Sequence, residues 1–99
     1  MKVKINSVHF KVDKKLEDFI NDRMEKLHIF FEGVIGSEVI LKMDNTETRE
    51  NKIAEIRLLI KGYDLFAKKE ALTFEAAIDQ ATEALRKQLV KHKEKVRGS

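Results

Sequence analysis

The 99-residue sequence has no cysteine, no proline and no tryptophan, and only four glycines and one tyrosine. Without cysteine there is no disulfide, no thiolate nucleophile and no cysteine-held metal, which suits a reducing compartment. Without proline, and with so little glycine, there is no flexible linker, and no low-complexity tract or internal repeat is visible. No apolar run approaches the roughly 18 residues of a membrane span. Residues 2–10 alternate polar and apolar side chains instead of forming the apolar stretch of a secretory signal. A soluble, cytoplasmic protein is expected, with no membrane partner. HExxH spacing, a Walker A loop, a G-x-S-x-G elbow and a Cys/His pair are all missing. The sequence therefore predicts no metal, no cofactor, no small-molecule substrate and no catalytic residue. It reads as a non-enzyme.

What is present is charge. Asp, Glu, Lys and Arg make up 37% of the chain, against about a quarter in an ordinary domain. Hydrophobic residues still reach 42%, enough for one modest core in one domain. The formal net charge is only +3, but it is unevenly placed. Residues 86–97 hold six Lys or Arg against one Glu, a local +5, so the remainder sums to −2. Positive charge gathered in one segment attracts polyanions.

Periodicity places the elements. Residues 2–10 form a first strand, with Val3 and Ile5 on one face and Lys2, Lys4 and Asn6 on the other. Asp13 is the N-cap of a helix of about 17 residues, whose apolar stripe is Leu16, Phe19, Ile20, Met24, Leu27 and Phe31. Gly33 and Gly36 end it and open a loop. A second strand covers 37–44, a charged loop 45–51 and a third strand 52–61, whose core face is Ala54, Ile56, Leu58 and Ile60. Gly62-Tyr63-Asp64 supplies turn chemistry. A fourth strand covers 65–72, and its Lys68, Lys69 and Glu70 suggest an exposed edge. Thr73 caps a last helix reaching about Val96, with Phe74, Ile78, Ala81, Leu85, Leu89, His92 and Val96 along its apolar stripe. The order β-α-β-β-β-α predicts an α+β fold: a four-stranded mixed sheet, first two strands parallel, with two helices packed on one face. The other face carries many charges and meets water.

Two features point toward a polyanion. In the last helix Arg86, Lys93 and Arg97 fall on one flank of the apolar stripe, while Lys87, Lys91 and Lys95 spread over the back and the other flank. Such a track suits a phosphate backbone, because each contact releases a counterion. It also suits a solvated helix end whose lysines answer the helix dipole. Arg23 lies by angle inside the first helix's apolar stripe, with Lys15 and Lys26 on the same flank. A charge there needs a partner. Position alone favours an internal ion pair, or a stem on the core with its head in water; its planar fork also suits phosphate. His92 sits on the core stripe and reads as a partly exposed core residue that can still meet a phosphate or base. The six phenylalanines read mainly as core, Phe30 and Phe31 emerging where the first helix ends.

The last helix carries Phe74-Glu75-Ala76-Ala77-Ile78-Asp79 and then Leu85-Arg86-Lys87-Gln88-Leu89-Val90-Lys91-His92-Lys93-Glu94-Lys95. With Asp22-Arg23-Met24-Glu25-Lys26-Leu27, Val3-Lys4-Ile5 and Val39-Ile40-Leu41-Lys42, this resembles the ribosome hibernation-promoting factor family. That family includes the ribosome-associated inhibitor and the sigma-factor modulation proteins. The resemblance spans nearly the whole chain. Where many members have Asp-Met-Tyr, this chain has Thr73-Phe74-Glu75, so no tyrosine contact carries over. The resemblance implies a layout like a double-stranded-RNA-binding domain. It also implies binding to the small ribosomal subunit and its rRNA in the mRNA and tRNA channel, blocking translation in starvation or stationary phase. The matching positions are Arg23 and Lys26 on the first helix and Arg86, Lys87, Lys91, His92 and Lys93 on the last. Lys95 joins them as part of the same basic cluster. Arg23 is thereby assigned to RNA, against the reading its position alone favours.

Long members of the family add a C-terminal dimerisation domain. This chain resembles the short form, with residues 1–97 as a single ribosome-binding domain and 98–99 as a tail, native or left by cloning. It is expected to be a monomer off the ribosome. The competing expectation is a protein-interaction module that modulates a transcription or translation factor through the charged sheet face or the fourth-strand edge.

Overall fold

The computed structural model describes residues 2–44 and 51–97, Tyr63 and 94–97 by their backbone alone. Most of the 45–51 loop, the side chains of Lys95, Val96 and Arg97, and the 98–99 tail lie outside the described residues. The elements are β1 (Lys2–Ser7), α1 (Lys14–Phe30), β2 (Val34–Met43), β3 (Lys52–Ile60), β4 (Tyr63–Ala71) and α2 (Phe74–Arg97). The sheet order is β1-β2-β3-β4. β1 runs parallel to β2, and the other two pairs are antiparallel.

Local chemistry sets the helix boundaries. Asp13 Oδ1 accepts from the Leu16 amide at 2.8 Å, and Thr73 Oγ1 accepts from the Ala76 amide at 3.0 Å. Each satisfies a donor that the first turn leaves unpaired. α1 buries Ile20, Met24 and Leu27; α2 buries Ala77, Ile78, Ala81, Leu85 and Leu89. They meet Val39, Leu41, Ala54, Ile56, Leu58 and Ile60 from the sheet in one core. The alternation expected of β3 holds on its core face. Among the described residues Leu89 is the last fully buried side chain of α2.

Four boundaries differ from expectation. β1 stops at Ser7, not residue 10. Ser7 Oγ donates to the Phe10 carbonyl, and His9 takes a positive φ of 65°, turning the chain toward α1. α1 ends on extended Phe31 with no left-handed glycine. Gly36 is no loop residue: it lies within β2, and a Cβ there would stand 3.1 Å from the Lys2 carbonyl oxygen of β1. The last turn is Lys61-Gly62, since Ile60 already pairs with Tyr63, and Gly62 supplies φ +99°. Met43, the last residue of β2, is 46% exposed.

Candidate nucleic-acid interface

The two helices lie side by side over the sheet, and their seam holds most of the residues singled out by sequence. Arg23, Lys26, Leu27, Ile29 and Phe30 of α1 line one groove with Asp79, Thr82, Glu83 and Arg86 of α2. The groove changes character along its length.

At its α2 N-terminal end it is self-neutralised. The Arg23 Nε donates to Asp79 Oδ1 at 2.7 Å and its Nη1 to Asp22 Oδ2 at 2.5 Å. Its guanidinium carbon lies 4.1 Å from the centre of the Phe19 ring. The side chain is 27% exposed. The hydrogen bond to Asp79, helped by Asp22, raises the Arg23 pKa further against the effect of burial. Lys26 is more exposed and pairs with Asp22 at 3.2 Å. Lys26 and then Arg23 hold the Asp22 carboxyl below the usual carboxylate range. Arg23 is thus the internal ion pair that its position favours, with part of its fork facing the seam.

Toward the C-terminal end of α1 the seam becomes aromatic and cationic. Arg86 approaches the Phe30 ring, guanidinium carbon to ring centre 5.0 Å. Lys93 Nζ lies 4.7 Å from the Phe30 ring centre and 5.7 Å from that of Phe31. The same ammonium donates to the Phe30 carbonyl oxygen at 3.1 Å. This is a cross-helix C-cap, since the last carbonyls of a helix have no partner within it. Phe31 meets His92 edge to face at 5.5 Å. On its other side Phe31 crowds Gly33, where a Cβ would come within 2.6 Å of the ring. Among the described residues neither Arg86 nor Lys93 makes an ion pair.

Lys87 and Lys91 are not in this seam. They line the opposite flank of α2 with Lys69 of β4, beside Asp79, Gln80, Glu83 and Gln88. Gln88 Nε2 donates to the Phe66 carbonyl oxygen of β4 at 3.0 Å. Lys95 continues α2 past the core, its side chain outside the described residues. The structure therefore gathers Arg23, Lys26, Arg86, His92 and Lys93 along one helix seam and sets Lys87 and Lys91 behind it. Sequence reasoning missed Asp79, Glu83 and Lys69 as neighbours, and missed the pairing of Lys93 with Phe30. The acids at 75, 79 and 83, one helical turn apart, were the available signal for an Arg23 partner. Nothing in the sequence signalled the Lys93 contact.

Among the described residues no group of three or more His, Asp or Glu could hold a metal ion, and no helix is long and apolar enough to cross a membrane.

Residues 3–97 match the family model described as sigma 54 modulation protein / S30EA ribosomal protein. The chain belongs to this family. Similar curated proteins include the ribosome hibernation promoting factor of Pseudomonas putida, 30% identical over 95 residues, covering 96% of this chain and 89% of that one. The ribosome hibernation promoting factor of Klebsiella oxytoca is 28% identical over 97 residues, covering 98% of each chain. Among solved structures, the N-terminal domain of Thermus thermophilus Protein Y superposes with a TM-score of 0.80 at 20% identity, over 93% of this chain and 99% of that one. A ribosomal subunit interface protein from Coxiella burnetii superposes at 0.83 and 15% identity, over 94% and 98%. These superpositions show the same fold.

Proposed function

We propose that this protein is a ribosome hibernation factor, a non-enzymatic cytoplasmic protein that binds the ribosome and silences translation in stationary phase or starvation. Family membership across residues 3–97 and the names of its curated relatives support the ribosome as partner. The observation that carries the RNA-binding part is the cationic surface of the second half of α2. Arg86, Lys87, Lys91 and Lys93 present cations with no carboxylate paired to them among the described residues. In this reading residues 1–97 act as one domain. The basic side chains contact rRNA of the small subunit in the channel where mRNA and tRNA bind, and exclude both. No bond is made or broken.

Affinity of this kind falls steeply with salt, by a slope of roughly 0.7–0.9 per phosphate contact on logarithmic axes. Four or five contacts give a slope near −4, on the order of a hundredfold loss between 50 and 200 mM salt. Retention in ribosome pellets should show that slope, and Lys87→Glu combined with Lys91→Glu should reduce it sharply. Full retention of the double variant would overturn the interface.

The competing reading, a protein-interaction module, has one observation in its favour. Phe66 is 47% exposed on the open sheet face, where β4 forms the edge. It predicts a protein partner whose capture survives RNase and moderate salt.

A further inference from the structure

Phosphate contacts account for the cations of the helix seam but not for the apolar side chains exposed among them. Ile29 is 72% and Val90 40% exposed. At 100° per residue Arg86, Val90 and Lys93 share one face of α2 within an arc of about 60°. Ile29 and Phe30 of α1 line the groove beside Arg86. Arg86 is exposed, stands against the Phe30 ring and makes no ion pair among the described residues. Two carboxylates line the same groove, Asp79 and Glu83, and Asp79 is bound to Arg23.

We infer that Arg86 is a stacking platform for one unpaired nucleobase of RNA. Phe30 backs the guanidinium, Ile29 and Val90 flank the base, and Lys93 and Lys26 neutralise the adjoining phosphates. The inference rests on the RNA-binding reading and deepens it: the ligand at this point is single-stranded and base-bearing. A guanidinium supported by an aromatic ring offers a flat, polarisable surface on which a base stacks. Bases within a duplex have both faces covered by neighbours, so only an unstacked base fits. Glu83 in the same groove acts in the same sense, since it opposes a phosphate there and tolerates a neutral base. A site for phosphate alone needs charge and is indifferent to a planar head, whereas stacking requires arginine and not lysine.

The test compares the full chain with Arg86→Lys, which keeps the charge and removes the plane. The probes are a 2′-O-methyl oligoadenylate of about 12 nucleotides and an abasic 2′-O-methyl chain of the same length. Arg86→Lys should weaken binding of oligoadenylate roughly fivefold or more, with the salt slope unchanged, and leave the abasic chain unaffected. Phe30→Leu should reproduce the selective loss. Equal loss on both probes makes Arg86 a phosphate contact and overturns the platform, as does no loss on either. Ribosome pelleting of the unmodified protein is run alongside. Its failure would sink the RNA-binding reading itself, whereas intact pelleting without a base-dependent loss sinks only the platform.

Discussion

Arg23 is the residue at which the internal and the RNA-facing interpretations diverge, and a double-mutant cycle with Asp79 separates them. Replacing Asp79 by Ala removes one tie, the 2.7 Å bond to Nε. Arg23 would keep Asp22 and its contact with Phe19. Replacing Arg23 by Gln removes all three. The pair is partly exposed, at 27% and 52%, so the measured range for surface pairs applies, roughly 0.2–1 kcal/mol. The cation–π contact adds about 0.5–1 kcal/mol. Loss of the pair in Asp79→Ala should therefore cost about 0.5 kcal/mol, Arg23→Gln about 1–1.5 kcal/mol, and the coupling should be near 0.5 kcal/mol. Urea unfolding followed by circular dichroism reads all four corners. In a domain of this size 1 kcal/mol moves Tm by roughly 4–8 °C, so thermal melts give a second reading. A coupling of zero would refute the inter-helix tie. The same variants have a functional arm. Because carboxylates already hold two of its nitrogens, Arg23→Gln should lose less ribosome retention than Arg86→Gln. The reverse order would make Arg23 the primary contact.

Other tests follow from single residues. Ser37 is 2% exposed and its hydroxyl has no hydrogen-bond partner among the described residues, so Ser37→Ala should raise stability by about 1 kcal/mol by removing an unpaired polar group; a loss in urea midpoint would contradict this. Gly62→Ala meets no neighbour within 4 Å but inherits φ +99°, so it should lose about 1 kcal/mol through backbone strain alone, measurable in the same unfolding assay. The Asp22 carboxyl is held low by Lys26 and Arg23, so its folded pKa lies below its unfolded one. Its contribution is present above the unfolded value, about 4, and disappears as pH falls through the folded value. The stability advantage of the unmodified protein over Asp22→Asn should vanish well below pH ~4 and shrink with salt. An advantage that persists in strong acid would disprove the assignment.

Much of the fold was legible because its determinants are local. The caps at Asp13 and Thr73 act on amides three residues away, and the alternation of β3 needs only a buried face. Where local rules failed, a distant segment decided. Gly36 looked like a helix terminator because glycine is common punctuation, yet its requirement comes from β1 passing close by. Gly33, by contrast, answers a side chain two residues away and makes room for the Phe31 ring. The basic character of residues 86–97 could be read directly, but the partners of its side chains could not. Arg23 and Asp79 are 56 residues apart, and Lys93 and Phe30 are 63 apart. Only the packing of α1 against α2 brings them together.

That packing also limits how much of the basic cluster is available to RNA. Arg23 lies beside Asp79, and further along Phe30 lies beside Arg86 and Lys93, so both helices advance in the same sense along the seam. Their C-terminal carbonyl ends therefore lie toward the same end of the molecule, each carrying partial negative charge. Part of the positive charge there answers that field, and Lys93 does so directly by capping Phe30. A lysine engaged in this way gains less from a phosphate than a free one, because it must share or surrender a bond it already has. The salt slope for ribosome binding should thus be shallower than the six Lys and Arg of residues 86–97 would give if each met a phosphate. Lys93→Met should destabilise the end of α1 as well as weaken retention, whereas Lys91→Met should weaken retention alone. Amide hydrogen exchange at 27–31 distinguishes the two, and equal protection in both variants would show that Lys93 has no structural share.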